Sequence, residues 1–359
     1  RNSFILMNSS LVLSRRQVFL TMSAVTSALF ISSLDQTVVG TAMPGIIADL
    51  GGFNRYTWVT TAYMVASTSI VPIIGRLTDI YGRKWLFIIG LGIFLIGSVL
   101  AGLSQTMTQL IVYRAIQGLG GGAIMAISFV CVGDLFPPSE RGKGQGYLAA
   151  AFALSSVLGP TVGGLITDQL SWNWIFYINL PLGIPIMILV MMYFPEDRWN
   201  IVKHQIDYLG VVSLVLTIVP LMLALSWGGV QYSWTSIQVL GFAGFSAIMA
   251  AVFLFVETKA REPIFPLSLF QNRVVSISVV TVFITGFAMF GATIFVPLYF
   301  QGVLGKSATS SGSFMTPMML GMVVGALVSG QLLSRTGGHY RLLGLIGLSV
   351  LAVGLFLIS

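Results

Sequence analysis

Two ionisable side chains, Asp35 and Arg114, lie well inside long apolar stretches of this chain. Each costs about 2.5 to 3.5 kcal/mol to insert alone at a bilayer centre, so such residues pair with one another or line a wet cavity. Burial favours the neutral form of an acid, and a nearby cation favours its ionised form. A carboxylate balanced between the two can exchange a proton for a cationic substrate. A static ion pair joining two helices is the plainer alternative. Polar neighbours on the same stretches are Gln36, Thr37 and Thr41 beside Asp35, and Gln117 one helical turn from Arg114. Gln36 and Gln117 are thereby candidate substrate contacts.

A second constellation is GRLTDIYGRKWL, residues 75–86, which sets Gly75, Arg76, Asp79, Gly82, Arg83 and Lys84 between two apolar stretches. Its charges belong at a membrane surface, and its glycines permit a tight turn and close helix contact. Asp79 and Asp134 can pair there with Arg76, Arg83 or Lys84, as a conformational latch or as simple anchoring. Gly118, Gly120, Gly121 and Gly122 follow Gln117 and let backbones approach closely. In SSVLGPTVGG, residues 155–164, Pro160 removes a helical hydrogen bond, while Gly159, Gly163 and Gly164 offer a smooth packing face, which together predict a kinked hinge. Tyr63, Phe287, Met289, Phe290 and Tyr299 are aromatic or flexible apolar groups suited to a tolerant substrate cavity, or to core and lipid packing.

Other chemistry finds no footing. His204 and His339 stand in separate loops without clustered ligands, so no metal site is expected, and the single Cys131 excludes an internal disulfide. No nucleophile, base and orienting group occur together as an enzyme would need.

The elements that must position these residues follow from composition. With 56% apolar and 8% charged residues and a mean hydropathy of +0.92, the chain reads as a polytopic membrane protein. Eleven apolar stretches are long enough to cross a bilayer: 18–46, 57–75, 85–103, 110–134, 145–167, 172–194, 208–227, 236–256, 274–300, 310–334 and 342–359. Lengths of this order require helices, because lipid offers a spanning backbone no other partners. The fold is therefore expected to be all-α. Of 18 Lys and Arg, Arg55 and Lys306 lie in loops on one side and Arg114 inside a span, while the other fifteen lie in the amino-terminal tail and the alternate loops. That bias puts the amino terminus in the cytoplasm and explains the basic charge without any nucleic-acid partner. On this topology Asp35 lies about 15 Å and Arg114 about 8 Å from the outer ends of their spans, both in the outer half of the membrane. The first stretch is too long for a secretory signal and reads as a retained span. An odd span count and a start at Arg1 lead us to expect a fragment of a longer chain.

In this order the segments resemble the major facilitator superfamily, specifically its drug:proton antiporters. Residues 75–84 are similar to the loop motif between spans 2 and 3, with Ile80 where an arginine is usual. LIVYRAIQGLGGG, residues 110–122, resembles the span 4 motif, whose arginine falls on Arg114, and SSVLGPTVGG the span 5 antiporter motif, with Ser155 for its first glycine. LDQTVVGTAMP, residues 34–44, and SWNWIFYINLPLG, residues 171–183, resemble the fourteen-span branch. An internal echo agrees: GQLLSRTGGHYR, residues 330–341, repeats the glycine and leucine spacing of residues 75–86, with Ser334 opposite Asp79, as two parallel halves would.

The resemblance implies two parallel six-helix bundles with an inserted helix pair. Residues 1–17 would be a cytoplasmic tail, 18–194 the first bundle, 195–207 a cytoplasmic loop, 208–256 the inserted pair, 257–273 a second cytoplasmic loop and 274–359 the first three spans of the second bundle. It further implies a multi-pass protein of the cell (inner) membrane, without cofactor, that uses the proton gradient to export lipophilic, often cationic compounds by alternating access. Asp35 and Arg114 would couple protons, and the 75–84 motif would stabilise one conformation. Its partners would be the small-molecule substrate, protons and the lipid bilayer, joined in a two-membrane bacterium by a periplasmic adaptor and an outer-membrane channel. A symporter or exporter for one endogenous metabolite, or a non-transporting sensor or scaffold, are the rival readings.

Overall fold

The computed structural model describes residues 14–137, 140–195, 207–260, 263–302 and 340–358, with scattered helical positions between 317 and 332. Most of the expected span at 310–334, most of the echo at 330–341, His204, His339 and the charges Arg198, Lys203, Lys306 and Arg335 fall outside them.

Local sequence starts and stops the helices. The Ser14 hydroxyl accepts from the Gln17 N–H at 3.2 Å and Gln17 Oε1 accepts from the Ser14 N–H at 3.0 Å, a reciprocal cap that opens α1 (Arg15–Leu50). After α1 come α2 (Thr57–Tyr81), α3 (Arg83–Gly102), α4 (Met107–Leu135) and α5 (Arg141–Gln169). Gly82 alone separates α2 from α3, and its φ of +83° is a left-handed value that favours glycine.

The expected span at 172–194 is two helices, α6 (Trp174–Tyr177) and α7 (Asn179–Tyr193), broken at Ile178. Pro181 has no N–H to offer the Tyr177 carbonyl, yet is tolerated in a first helical turn, so the helix restarts at Asn179. The chain continues with α8 (Tyr208–Trp227), α9 (Ile237–Lys259), α10 (Arg273–Gly302) and α11 (Tyr340–Ile358). Among the described residues eight spans are long and apolar enough to cross a membrane: α1 to α5, the α6–α7 pair, α8 and α9. Arg273–Ala288 and Arg341–Gly354 are shorter apolar helices, and no strand occurs among the described residues. The fold is all-α, as expected.

The chain forms two compact units, Arg1–Leu135 with Leu154–Phe265, and Phe136–Ala153 with Pro266–Ser359. In the first, α2 and α3 both pack along α4, α1 lies against α4 and α7, and α8 pairs with α9 and lies along α2. Leu34, Val38, Ala42 and Ile46 of α1 meet Val59, Leu110, Trp172 and Phe176 in its core. The α4 glycines allow this closeness on two sides. A Cβ at Gly118 or Gly122 would strike the α2 backbone at Tyr63 or Ser67, and one at Gly120 would strike the α3 backbone at Phe94. From α3, a Cβ at Gly97 would lie 2.6 Å from Gln117 Cα. In the second unit, Asn272 Oδ1 caps α10 by accepting from the Val274 N–H at 2.9 Å.

Candidate functional site

Five helices of the first unit converge on the Asp35 carboxylate. Arg114 of α4 donates through Nη1 to Asp35 Oδ2 and, at 2.7 Å, to Gln117 Oε1. Its Nε reaches the Val59 carbonyl in the first turn of α2 at 3.4 Å. Gln117 Nε2 donates to Asp35 Oδ1 at 2.8 Å and to Ser98 Oγ of α3 at 3.1 Å. Asn179, the first residue of α7, donates through Nδ2 to Asp35 Oδ1 at 2.9 Å and to Ser98 Oγ at 2.8 Å. The Ser98 hydroxyl passes its proton bond on to the Phe176 carbonyl at 2.8 Å. The guanidinium carbon sits 4.3 Å over the Tyr63 ring of α2, whose hydroxyl lies 3.0 Å from Ser32 Oγ.

Asp35, Arg114, Gln117 and Asn179 are each at most 1% exposed within the unit, so the charged pair is compensated by protein groups. Removal of water strengthens each of these charge-assisted bonds and makes an unmatched change of charge costly. The arrangement is thus a buried ion pair whose two members share their hydrogen bonds among five helices.

Beside this network the α1–α5 contact is built from small polar groups. Ser33 and Ser155 hydroxyls lie 2.6 Å apart, Thr37 Oγ1 donates to the Ser155 carbonyl at 3.1 Å, and a Cβ at Gly159 or Gly163 would strike Thr37 or Thr41. Gly164 differs from the expectation. It has nothing within 4 Å of an added Cβ, because Gly159 and Gly163 share the stripe facing α1 and the next residue turns about 100° away. Pro160 is carried inside α5 without ending it.

At the other cluster Arg83 Nη2 donates to Asp134 Oδ1 at 3.3 Å, its Nε makes a close ion contact with Asp134 Oδ2, and its Nη2 lies 3.9 Å from Asp79 Oδ1. Asp79 is half exposed. Arg76 of the same motif acts electrostatically on Glu257 of α9, an acid the sequence reading did not single out. Glu257 accepts from the Ile264 and Phe265 N–H groups at 3.2 and 3.1 Å and so ties down the segment leaving α9.

The cavity candidates scatter. Tyr63 is buried beneath Arg114, Gln36 is exposed on α1 within hydrogen-bonding reach of Tyr63, and Phe287 is exposed on α10 of the second unit. The Met289, Phe290 and Tyr299 side chains lie outside those described. Among the described residues no three His, Cys, Asp or Glu side chains group as metal ligands. Sequence reasoning missed Ser98 and Asn179. The available signal for the second was an amide side chain in an otherwise apolar span.

The family model described as Major Facilitator Superfamily matches residues 25–205 and 203–359. Multidrug resistance protein 3 of Bacillus subtilis strain 168 is 45% identical over 92% of this chain and 64% of its own length. Multidrug transporter protein MdtP of the same organism is 43% identical over 92% of this chain and 61% of its own. The chain thus spans under two thirds of these relatives' length. Among solved structures, the proton:xylose symporter XylE matches with a TM-score of 0.57 at 14% identity, covering 89% of this chain and 70% of its own, a likeness of fold alone.

Proposed function

Because the chain belongs to the Major Facilitator Superfamily, and is thereby an integral multi-pass membrane protein, we propose that it is a proton-coupled antiporter exporting lipophilic, often cationic compounds by alternating access. The observation that carries this reading is the buried Asp35–Arg114–Gln117 network, an ionisable acid held among five helices of one bundle. An intramembrane acid is a functional site by default, and proton relays are among the roles such acids serve. Protonation of Asp35 weakens its bond to Arg114 and frees the helices to reorganise; loss of the proton restores the grip. The printed names of the two Bacillus relatives support drug-like substrates.

In this reading the amino terminus is cytoplasmic, α8 and α9 are the inserted pair of the fourteen-span branch, and Arg83 with Asp134 and Asp79 latches one conformation at the inner face. Asp35→Asn keeps the side-chain shape, gives up one of the two accepting oxygens and removes the charge change. It abolishes proton-driven accumulation of ethidium in inverted vesicles made with the full-length chain, at unchanged protein abundance. Undiminished accumulation by that variant would sink the assignment.

A further inference from the structure

We propose that Asn179, backed by Ser98, is a positioning residue that lowers the proton affinity of Asp35, a role that rests on the proton-exchange reading of that acid. Asn179 Nδ2 bonds to Asp35 Oδ1 at 2.9 Å and to Ser98 Oγ at 2.8 Å. Its Oδ1 is buried with no hydrogen-bond partner among the described residues. An apolar side chain at this place would leave no orphaned acceptor, so the amide's contribution lies in what it donates.

The donation falls on the acid. Oδ2 of Asp35 is held by Arg114, and Oδ1 by two neutral amides, Gln117 and Asn179. The titratable and charged groups facing the carboxylate are Arg114 from α4 and Tyr63 from α2; α3 and α7 bring only Ser98 and Asn179, and α5 brings Ser155 on the Ser33 side. Each N–H aimed at a carboxylate oxygen favours the ionised form over the acid. Gln117 is shared with Arg114 and moves with it, whereas Asn179 stands on a separate helix whose start is fixed by the break at Ile178. Ser98 accepts from both amides and donates to the Phe176 carbonyl, so one hydroxyl sets the direction of both donors. Losing Asn179 leaves Oδ1 with Gln117 as its one amide donor and moves the balance of the carboxyl toward its protonated form.

The test is a pH titration of the Asp35 carboxyl band by infrared difference spectroscopy on the purified full chain, which needs no substrate. Asp35→Asn identifies the band by removing it. Asn179→Leu raises the pH of half-height by about one unit, a tenfold gain in proton affinity, and Ser98→Ala raises it by a smaller amount. A band that titrates in the wild type but is unmoved, or moved to lower pH, in both variants overturns the role of Asn179 and leaves proton exchange by Asp35 standing. Absence of any Asp35-dependent titrating band overturns the proton-exchange reading itself. Should Asn179→Leu fail to fold, the near-isosteric Ser98→Ala decides by the same shift.

Discussion

Arg114 shows how much of the site turns on one side chain. Its guanidinium bonds Asp35, Gln117 and the Val59 carbonyl and lies over the Tyr63 ring, with 1% of its surface exposed. Removing one member of a buried ion pair leaves the other uncompensated, which costs about 3 to 5 kcal/mol, whereas removing both costs far less. Arg114→Leu is therefore expected to lower the thermal unfolding midpoint more than the double variant Asp35→Leu/Arg114→Leu, measured on purified protein at one pH. A double variant less stable than the single one would contradict this compensation. The pair was legible in the sequence because charge in an apolar span is conspicuous. Ser98 and Asn179 were not, because a neutral hydroxyl or amide disturbs hydropathy little and its partners come from other helices.

At the scale of elements, the small residues of α3 and α4 decide whether the network can form. A Cβ at Gly97 would lie 2.6 Å from Gln117 Cα, so Gly97→Ala must push α3 from α4 at the level of Ser98 and Gln117. The overpacking costs about 1 to 3 kcal/mol. Gly164→Ala, facing open space on α5, is neutral or stabilising by up to about 1 kcal/mol through helix propensity. Thermal stability of the two variants in the same detergent checks the contrast, and equal losses would refute it. The sequence marked glycine runs as packing devices. Which glycine met which neighbour depended on the rotation of each helix about its own axis, and hydropathy alone does not encode that.

For the whole molecule, the proposed latch predicts how conformations exchange. Arg83 holds Asp134 through one hydrogen bond and a close ion contact, while Asp79 is half exposed and 3.9 Å away, so the acid that ends α4 carries more of the contact than the acid within the motif. Asp134→Asn is expected to shift spectroscopic distance distributions between inward-open and outward-open forms more than Asp79→Asn does, with ligand affinity little altered in either. Equal shifts would move the weight back to Asp79. By itself the sequence determined an all-α fold and the placing of its apolar spans up to residue 259, because lipid forces each spanning segment to satisfy its own backbone hydrogen bonds. It also determined that Asp35 and Arg114 needed partners. Only the tertiary structure decided that those partners include Gln117, Asn179 and Ser98, that the sixth span breaks at Ile178, and that Arg83 bonds Asp134. These contacts join residues distant in the chain, and they are fixed by how closely neighbouring helices approach and how each is turned.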